Sequence, residues 1–263
     1  MEFIDVHTHL HDRRIVEDIR EIINQAVSVG VKKMVTCATM EENFDATVKL
    51  AKEYKAVLPC FGIHPWFIGS LTSGWEERLG TWLETIPSGV GETGLDFMDK
   101  GADREFQNEV FKTHLDLAVS LGRPINIHIR KAWDSFLHIL KKNGPLKAGG
   151  LVHSYSGSAD LAKVLERYNL HISFSGSVTR PNAKKVVNAL NAVSLDRILF
   201  ETDTPDIPPT FEKDHRAVSD SLNYPGNLPY IVEIAARKRG IQFEELGGCA
   251  YTNGLNLFES IMK

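Results

Sequence analysis

The sequence contains little cysteine, no long apolar run and no excess of basic residues. Its three cysteines, Cys37, Cys60 and Cys249, are odd in number and far apart along the chain, which argues against a disulfide framework and a clustered thiolate metal site. No apolar run reaches the roughly 18 residues of a membrane-spanning helix, and the histidine-rich start does not resemble a signal peptide. We therefore expect a cytoplasmic protein with reduced thiols and no membrane partner.

The charge balance excludes a global field that would attract nucleic acid. The 263 residues include 30 basic and 34 acidic side chains, for a net charge of −4. An anionic substrate must therefore be attracted by a local site.

No linker, low-complexity tract or fixed-period repeat divides the chain, so residues 1–263 are predicted to form one domain. No feature of the sequence requires an obligate protein partner.

Short β-rich segments alternate with segments of helical periodicity along most of the chain. The predicted strands cover residues 3–9, 31–38, 56–63, 89–91, 125–128, 149–153, 171–175 and 197–201. The predicted helices cover residues 15–29, 41–54, 75–86, 103–121, 132–142, 159–167, 181–192, 226–240 and 244–263. About eight strand-helix units in this order predict an α/β fold, the (β/α)8 TIM barrel. The irregular stretch 204–227 follows the last strand and is predicted to form part of a substrate rim.

Ligand-type side chains stand at the ends of these predicted strands. In chain order they are His7 and His9, His64, Glu92, His128, His153 and Asp203. Barrel enzymes keep their chemistry at the carboxyl ends of the strands, so these side chains are predicted to share one rim. Four other histidines fall on helices, in the 204–227 stretch or at the start of a strand and are predicted to be structural: His114, His138, His171 and His215. His11 is either a further ligand or a solvated loop residue, and we favour the loop.

The donor types predict a metal site. Imidazoles and carboxylates without thiolates suit zinc, manganese, nickel or magnesium. Four histidines and two acids are too many for one tetrahedral ion, but two ions roughly 3.5–4 Å apart would use them all if one carboxylate bridged. Four positive charges less the two of Glu92 and Asp203 leave a formal charge of about +2. Such a pocket suits a phosphate.

Several motifs together resemble the TatD family of metal-dependent deoxyribonucleases across nearly the whole chain. They are Asp5-Val6-His7-Thr8-His9-Leu10, Gly62-Ile63-His64-Pro65, Gly91-Glu92-Thr93-Gly94-Leu95-Asp96, residues 124–130, His153-Ser154-Tyr155-Ser156-Gly157-Ser158, Glu201-Thr202-Asp203-Thr204-Pro205 and residues 253–258. The resemblance implies a barrel with a binuclear site and a 3′ to 5′ exonuclease acting on single-stranded DNA. It also implies that one ion is held by His7, His9 and Asp203, the other by His128 and His153, with Glu92 bridging.

The sequence departs from the family pattern at three places. His11 is an addition after the histidine pair, Phe97 replaces a tyrosine, and residues 206–224 lack the usual proline-and-arginine pattern. These changes leave the predicted metal ligands intact. They bear on the choice of substrate, because the altered segment is the predicted rim.

The catalytic hypothesis assigns roles to three further groups on this rim. Asp203 orients or deprotonates the attacking water, and His64 binds phosphate or assists the leaving oxygen, unless it is only an outer hydrogen-bonding residue. Arg130 would pair a phosphate, the alternative being an exposed salt bridge. For Trp66, Phe67 and Phe97 packing is the default, with base stacking as the alternative.

Two other functions remain open from the sequence. One is a hydrolase of a carbonyl substrate, either an amidohydrolase or an aminoacyl-tRNA deacylase, on the same scaffold. The lysine that would bridge two ions as a carbamate is replaced by Glu92, which counts against the cyclic-amidohydrolase type. The other is a barrel that binds metal or nucleic acid without turnover.

Overall fold

Eight parallel strands form a nearly closed barrel in the order β1 to β8, so the predicted (β/α)8 fold is confirmed. The computed structural model describes residues 1–211 and 222–262. The strands are β1 Phe3–Thr8, β2 Val31–Cys37, β3 Val57–Phe61, β4 Gly89–Asp96, β5 Ile125–Arg130, β6 Gly150–Val152, β7 Leu170–Phe174 and β8 Ile198–Phe200. Each strand pairs with the next in sequence, which is the topology that the strand-helix alternation predicts.

Helices follow the strands on the outside of the barrel. They are α1 Ile19–Ser28, α2 Phe44–Glu53, α3 Trp75–Thr85, α4 Arg104–Leu121, α5 Trp133–Asn143, α6 Ala159–Glu166, α7 Lys184–Ala192, α8 Leu228–Arg239 and α9 Phe243–Phe258. The expected start of the seventh helix at residue 181 is wrong. Its first helical hydrogen bond runs from Val187 N to Ala183 O, and the preceding residues form a turn.

Two apolar layers hold the barrel. The larger fills the space between the strands and the helices, and includes Phe111, Phe136 and Phe174. The smaller lies inside the barrel, where residues such as Val6 and Leu199 meet α9 and the short helical turn after it. Strand β5 shows the division directly: Ile125, Ile127 and Ile129 belong to the outer layer, while the residues between them are polar. The interior is therefore apolar in one part and polar towards the carboxyl rim.

Strand β4 extends further than the sequence indicated, so the expectation that it closes at Glu92 is wrong. Residues 93–96 continue to pair with β5, after an irregularity in register between Val90 and Thr93. Gly91 occupies that irregularity with a φ of 136°, and a Cβ there would lie 2.5 Å from the Asn126 carbonyl oxygen. Such a bulge changes the direction of the next side chain. Glu92 consequently lies within the strand and is buried.

The ring closes where the end of β1 and the residue that follows it meet the residues after β8. Asp203 N donates to His7 O at 3.0 Å, and His9 N donates to Thr204 O at 2.7 Å. Asn223 links the segment around it to the residues after β8, because its Nδ2 donates to Thr202 O at 2.6 Å. Residues 212–221, and with them His215 and the middle of the predicted rim, lie outside the described residues. Within the described ranges, no helix is long and apolar enough to cross a membrane.

Candidate metal centre

Glu92 lies at the centre of a cluster formed by the predicted ligands. Its Oε2 is 3.4 Å from His7 Nε2 and 3.3 Å from His9 Nε2. Its Oε1 is 3.2 Å from His128 Nδ1 and 3.0 Å from His153 Nε2. Each carboxylate oxygen therefore faces its own pair of imidazoles.

Asp203 joins the first of these pairs. Its Oδ1 lies 3.5 Å from His7 Nε2 and 3.5 Å from His9 Nε2. The structure thus brings all six predicted ligands into one cluster on the carboxyl rim. Their side chains arrive from β1, β4, β5 and the residues that follow β1, β6 and β8.

The rings of His7 and His9 are oriented by groups behind them. His7 Nδ1 is 2.8 Å from Asn126 Oδ1, and the Asn126 Nδ2 donates to Val6 O at 2.9 Å. Because that amide nitrogen faces an acceptor, the amide oxygen must face His7 and accept its Nδ1 proton. His9 Nδ1 likewise donates to Cys37 O at 2.8 Å. Both Nε2 atoms, 3.2 Å apart, are left with lone pairs that point towards the carboxylates.

The second pair is oriented by acidic side chains. His128 Nε2 lies 3.2 Å from Asp96 Oδ2, so its Nδ1 faces the cluster. His153 Nδ1 lies 3.3 Å from Glu201 Oε1, so its Nε2 faces the cluster. The inward nitrogens of the two rings are 3.0 Å apart. Carboxylates behind imidazole ligands fix the ring and strengthen it as a donor.

His64 lies at the same centre but presents a different atom. Its Nδ1 accepts a hydrogen bond from Trp66 N at 3.1 Å, so in the neutral ring the proton is on Nε2, which is 3.4 Å from Glu92 Oε1. His64, Glu92 and His128 offer atoms within 4.8 Å of one another. A ring nitrogen that carries a proton cannot donate a lone pair to an ion. His64 therefore faces the cluster as a hydrogen-bond donor.

A buried network holds the backbone at Asp203. This residue has a φ of 58°, a left-handed conformation that is uncommon for a non-glycine residue. The preceding Thr202 donates from N to Asp5 Oδ1 at 2.9 Å and from Oγ1 to Asp5 Oδ2 at 2.5 Å. Burial raises the pKa of Asp5 to about 8, although the Thr202 hydrogen bonds oppose this. Asp5 thus fixes the turn that directs the Asp203 side chain to the cluster.

The carboxylates and the imidazoles of the cluster stabilise one another's charged forms. Burial alone would raise the pKa of Glu92, but His64, His153 and His7 outweigh it and hold that pKa well below its usual value. Burial would lower the pKa of His9, but Asp203 and Glu92 raise it to about 9. The carboxylates are therefore ionised, and they favour the protonated forms of His9, His128 and His153 where cations would bind.

This donor set fits divalent ions. Pairs of imidazole nitrogens converge at 3.2 Å and 3.0 Å, and each pair shares a carboxylate oxygen. The ionic partners of Glu92 among the described residues are all histidines, so no lysine or arginine there neutralises it. Protons on imidazoles are displaced when a metal binds.

Other predicted residues lie at or away from this rim. Arg130 is exposed at the end of β5, and within the described ranges its side chain has no ionic or hydrogen-bond partner. His11 lies in the turn after β1, half-buried beside His9 at 6.0 Å between ring centroids, and outside the groups of possible metal ligands found among the described residues. Burial lowers its pKa to about 3. The remaining described histidines lie away from the cluster, on α4, α5 and β7: His114, His138 and His171.

Sequence reasoning missed the residues that orient the ligands. Asn126, Asp96 and Glu201 were not among the predicted site residues, although all three lie in the motifs that carry the family resemblance. Strand alternation offered a signal for Asn126, since it lies two residues before His128 and therefore on the same face. The formal charge of about +2 also changes. Counting the ionised Asp96 as well removes one more charge and leaves about +1, so a phosphate would gain from further cationic contacts.

Comparison with known proteins places this geometry among metal-dependent hydrolases. The family model described as TatD related DNase matches residues 4–259. The chain is 30% identical over 259 residues to the uncharacterized metal-dependent hydrolase YabD of Bacillus subtilis, covering 97% of this chain and 98% of that protein. It is 30% identical over 243 residues to the uncharacterized metal-dependent hydrolase TatD of Mycobacterium tuberculosis, covering 89% of each. The crystal structure of the TatD homologue YjjV from Escherichia coli is similar, with a TM-score of 0.91, 28% identity and 98% of each chain covered.

Proposed function

This chain belongs to the TatD-related DNase family and is a metal-dependent hydrolase, and we propose that it cleaves phosphodiesters as a 3′ to 5′ exonuclease on single-stranded DNA. The proposed cofactors are two divalent ions, of zinc, magnesium, manganese or nickel. In this proposal His7, His9 and Asp203 would hold one ion, His128 and His153 would hold the other, and Glu92 would contribute to both. A cytoplasmic location and a single domain over residues 1–263 belong to the same proposal.

The observation that carries the proposal is that the two carboxylate oxygens of Glu92 each face a different pair of imidazoles. A carboxylate with a pair of nitrogen donors at each oxygen has the form of a bridging ligand. When bound, two such ions supply Lewis acidity at phosphoryl oxygens and lower the pKa of a bound water to about 7.

The chain's own residues supply the remaining steps. The Asp203 carboxylate orients the attacking water and accepts its proton, which as general-base assistance contributes about 10² to 10⁴-fold. His64 donates from Nε2 to a phosphoryl oxygen, a role that suits a ring whose Nδ1 accepts from the Trp66 N–H and whose pKa burial lowers to about 3. Arg130 pairs the same phosphate from the rim.

The contacts available to a charged phosphate favour this reaction over carbonyl hydrolysis. Arg130 is exposed at the rim without an acidic partner among the described residues, and it lies two residues beyond His128 on one face of β5. An amide or an ester carbonyl would gain little from a guanidinium. The carbonyl-hydrolase function is therefore the second candidate, and a barrel without turnover is the third.

A substrate screen tests the proposal. Purified protein is analysed for metal and then assayed on single-stranded DNA, double-stranded DNA, RNA, small phosphodiesters, amides and aminoacyl esters. We expect single-stranded DNA with a free 3′ end to shorten one nucleotide at a time. A blocked 3′ end should protect the strand, and closed circular DNA should survive. Equal digestion of circles and linear strands would indicate an endonuclease, and turnover of amides or aminoacyl esters alone would favour the second candidate.

A further inference from the structure

The rim carries one exposed aromatic side chain directly beside the metal centre. Trp66 is 64% exposed, whereas the other three tryptophans of the sequence, all within the described ranges, are buried or half-buried. Its ring centroid is 4.8 Å from that of His64 and 6.4 Å from that of His128. The exposed ring offers apolar surface beside the cluster, and a ligand that covered it would gain free energy from the burial.

The exposed ring is also held in position. Trp66 Nε1 donates to Asp96 Oδ2 at 2.9 Å, the same oxygen that lies 3.2 Å from His128 Nε2. Its backbone N donates to His64 Nδ1 at 3.1 Å. The indole is thus fixed at two points relative to two residues of the centre. A fixed ring loses little conformational entropy when a second ring packs on it.

The geometry leaves a broad surface of the indole open. Its plane is nearly perpendicular to the His64 ring, at 79°, and is inclined by 67° to the His128 ring. About two thirds of the residue is exposed, so at least one face of the indole ring is open to solvent. Base-aromatic stacking needs one open face and tolerates any base, since every base has a π-face.

We propose that Trp66 is the stacking platform for the nucleobase next to the cleaved phosphodiester, so that this site selects nucleotides over other phosphodiesters. This inference rests on the proposed function and specifies its substrate class. Arg130 and His64 would hold the phosphate, which is common to all phosphodiesters. Trp66 would add a stacking contact only when the substrate carries a base. Because every base has a π-face, stacking would select for the presence of a base but not for its identity.

Oligonucleotides that differ at one position test the proposal. One strand ends in an ordinary 3′ nucleotide and the other in a 3′ abasic residue with the same phosphates. Wild-type protein should prefer the base-bearing strand by about ten-fold or more in kcat/KM, mainly through KM. Trp66→Leu should abolish this preference, whereas Trp66→Phe, which keeps an aromatic face but loses the indole N–H, should retain much of it.

A binding measurement gives a second readout that does not require turnover. Tryptophan fluorescence of the purified protein is titrated with adenosine monophosphate and, separately, with deoxyribose 5-phosphate. The nucleotide should quench the emission and the sugar phosphate should not. Trp66→Phe should remove the quenched component, since the other tryptophans are not exposed.

The outcomes separate this inference from the proposed function. If Trp66→Leu slows both strands equally, the stacking role is overturned and the residue only supports Asp96. If wild-type protein cleaves no DNA, the nuclease proposal fails and the fluorescence titration decides alone. Quenching by the nucleotide then supports the platform, and absence of quenching overturns it.

Discussion

Asn126 determines which nitrogen of His7 faces the metal centre. Its amide oxygen accepts the His7 Nδ1 proton at 2.8 Å, and its amide nitrogen is committed to Val6 O at 2.9 Å. The amide cannot turn over without placing its nitrogen against the ring and its oxygen against a carbonyl oxygen. The neutral tautomer of His7 with a free Nε2 therefore depends on a residue 119 positions away in sequence.

Asn126→Leu should weaken metal binding without unfolding the protein. Leucine has a similar volume but leaves the His7 ring free to rotate and to change tautomer. Loss of such an orienting partner costs about 10- to 100-fold in metal affinity. Competition with a chromophoric chelator measures the affinity, and Asn191→Leu on the exposed face of α7 serves as the control. Unchanged affinity in Asn126→Leu would show that the ring is held by other contacts.

Glu92→Gln should remove hydrolytic activity and at least one equivalent of metal while the protein stays folded. The amide keeps the shape of the side chain but not the negative charge that offsets two dications. Metal content by elemental analysis, activity and circular dichroism are measured together. Glu244→Gln, at an exposed position in the first turn of α9, should change none of them. Full metal occupancy with normal activity would exclude Glu92 as the bridge.

Arg130→Ala should raise KM for DNA by about ten-fold and change kcat less. The guanidinium meets a phosphate that is present in both the ground state and the transition state, so its loss reduces uniform binding. Steady-state kinetics at low and high salt provide the measurement, and the difference from wild type should shrink at high salt. Arg20→Ala, which removes an exposed arginine of α1 paired with Glu53 at 3.6 Å, is the matched control. A pure loss of kcat would instead assign Arg130 to the transition state.

His114 should make folding stability depend on pH in mildly acidic solution. Burial lowers its pKa from 6.5 to about 4, and it accepts a hydrogen bond from Ile63 N at 3.0 Å through Nε2. Between these values the unfolded chain binds a proton that the folded protein does not, so stability falls as the pH falls. The loss from pH 7 to pH 5 amounts to about 2 kcal/mol.

Urea unfolding of metal-free protein tests this dependence. His114→Gln keeps an acceptor for Ile63 N but does not titrate, so its stability should fall by about 2 kcal/mol less than that of wild type between pH 7 and pH 5. His138→Gln, on an exposed position of α5, should follow wild type. Parallel losses in all three proteins would mean that His114 is not responsible.

The sequence predicted the barrel and the clustering of the proposed ligands because both follow from simple periodicities. Strand-helix alternation determined the order of the eight strands, and parallel strands bring their carboxyl ends to one rim. His7 and Asp203 could therefore be placed together although nearly the whole barrel separates them in sequence. No property of the individual residues was needed beyond their type and their position at a strand end.

What the sequence did not predict depends on contacts between strands. The extension of β4 was missed because Gly91 and Gly94 have low strand propensity, and pairing with β5 outweighs it. Asp96 was missed as a partner of His128 for the same reason, since its position on the rim depends on that extension. The register of two strands across a bulge is a tertiary property, and local pattern does not specify it.

Because His7 and Asp203 come from opposite ends of the barrel sequence, the proposed ion site that they share cannot form until both have been synthesised. On the ribosome, residues of β1 emerge first and Asp203 emerges only after all eight strands have been translated. A nascent chain therefore lacks part of the proposed first ion site until its last strand has docked beside its first. Because donors from both ends of the ring form that proposed site, binding of its ion would report that the ring is complete. A chain truncated or stalled before Asp203 would carry the other five proposed donors but not a complete first site, so the proposed hydrolysis would begin only after the ring has closed.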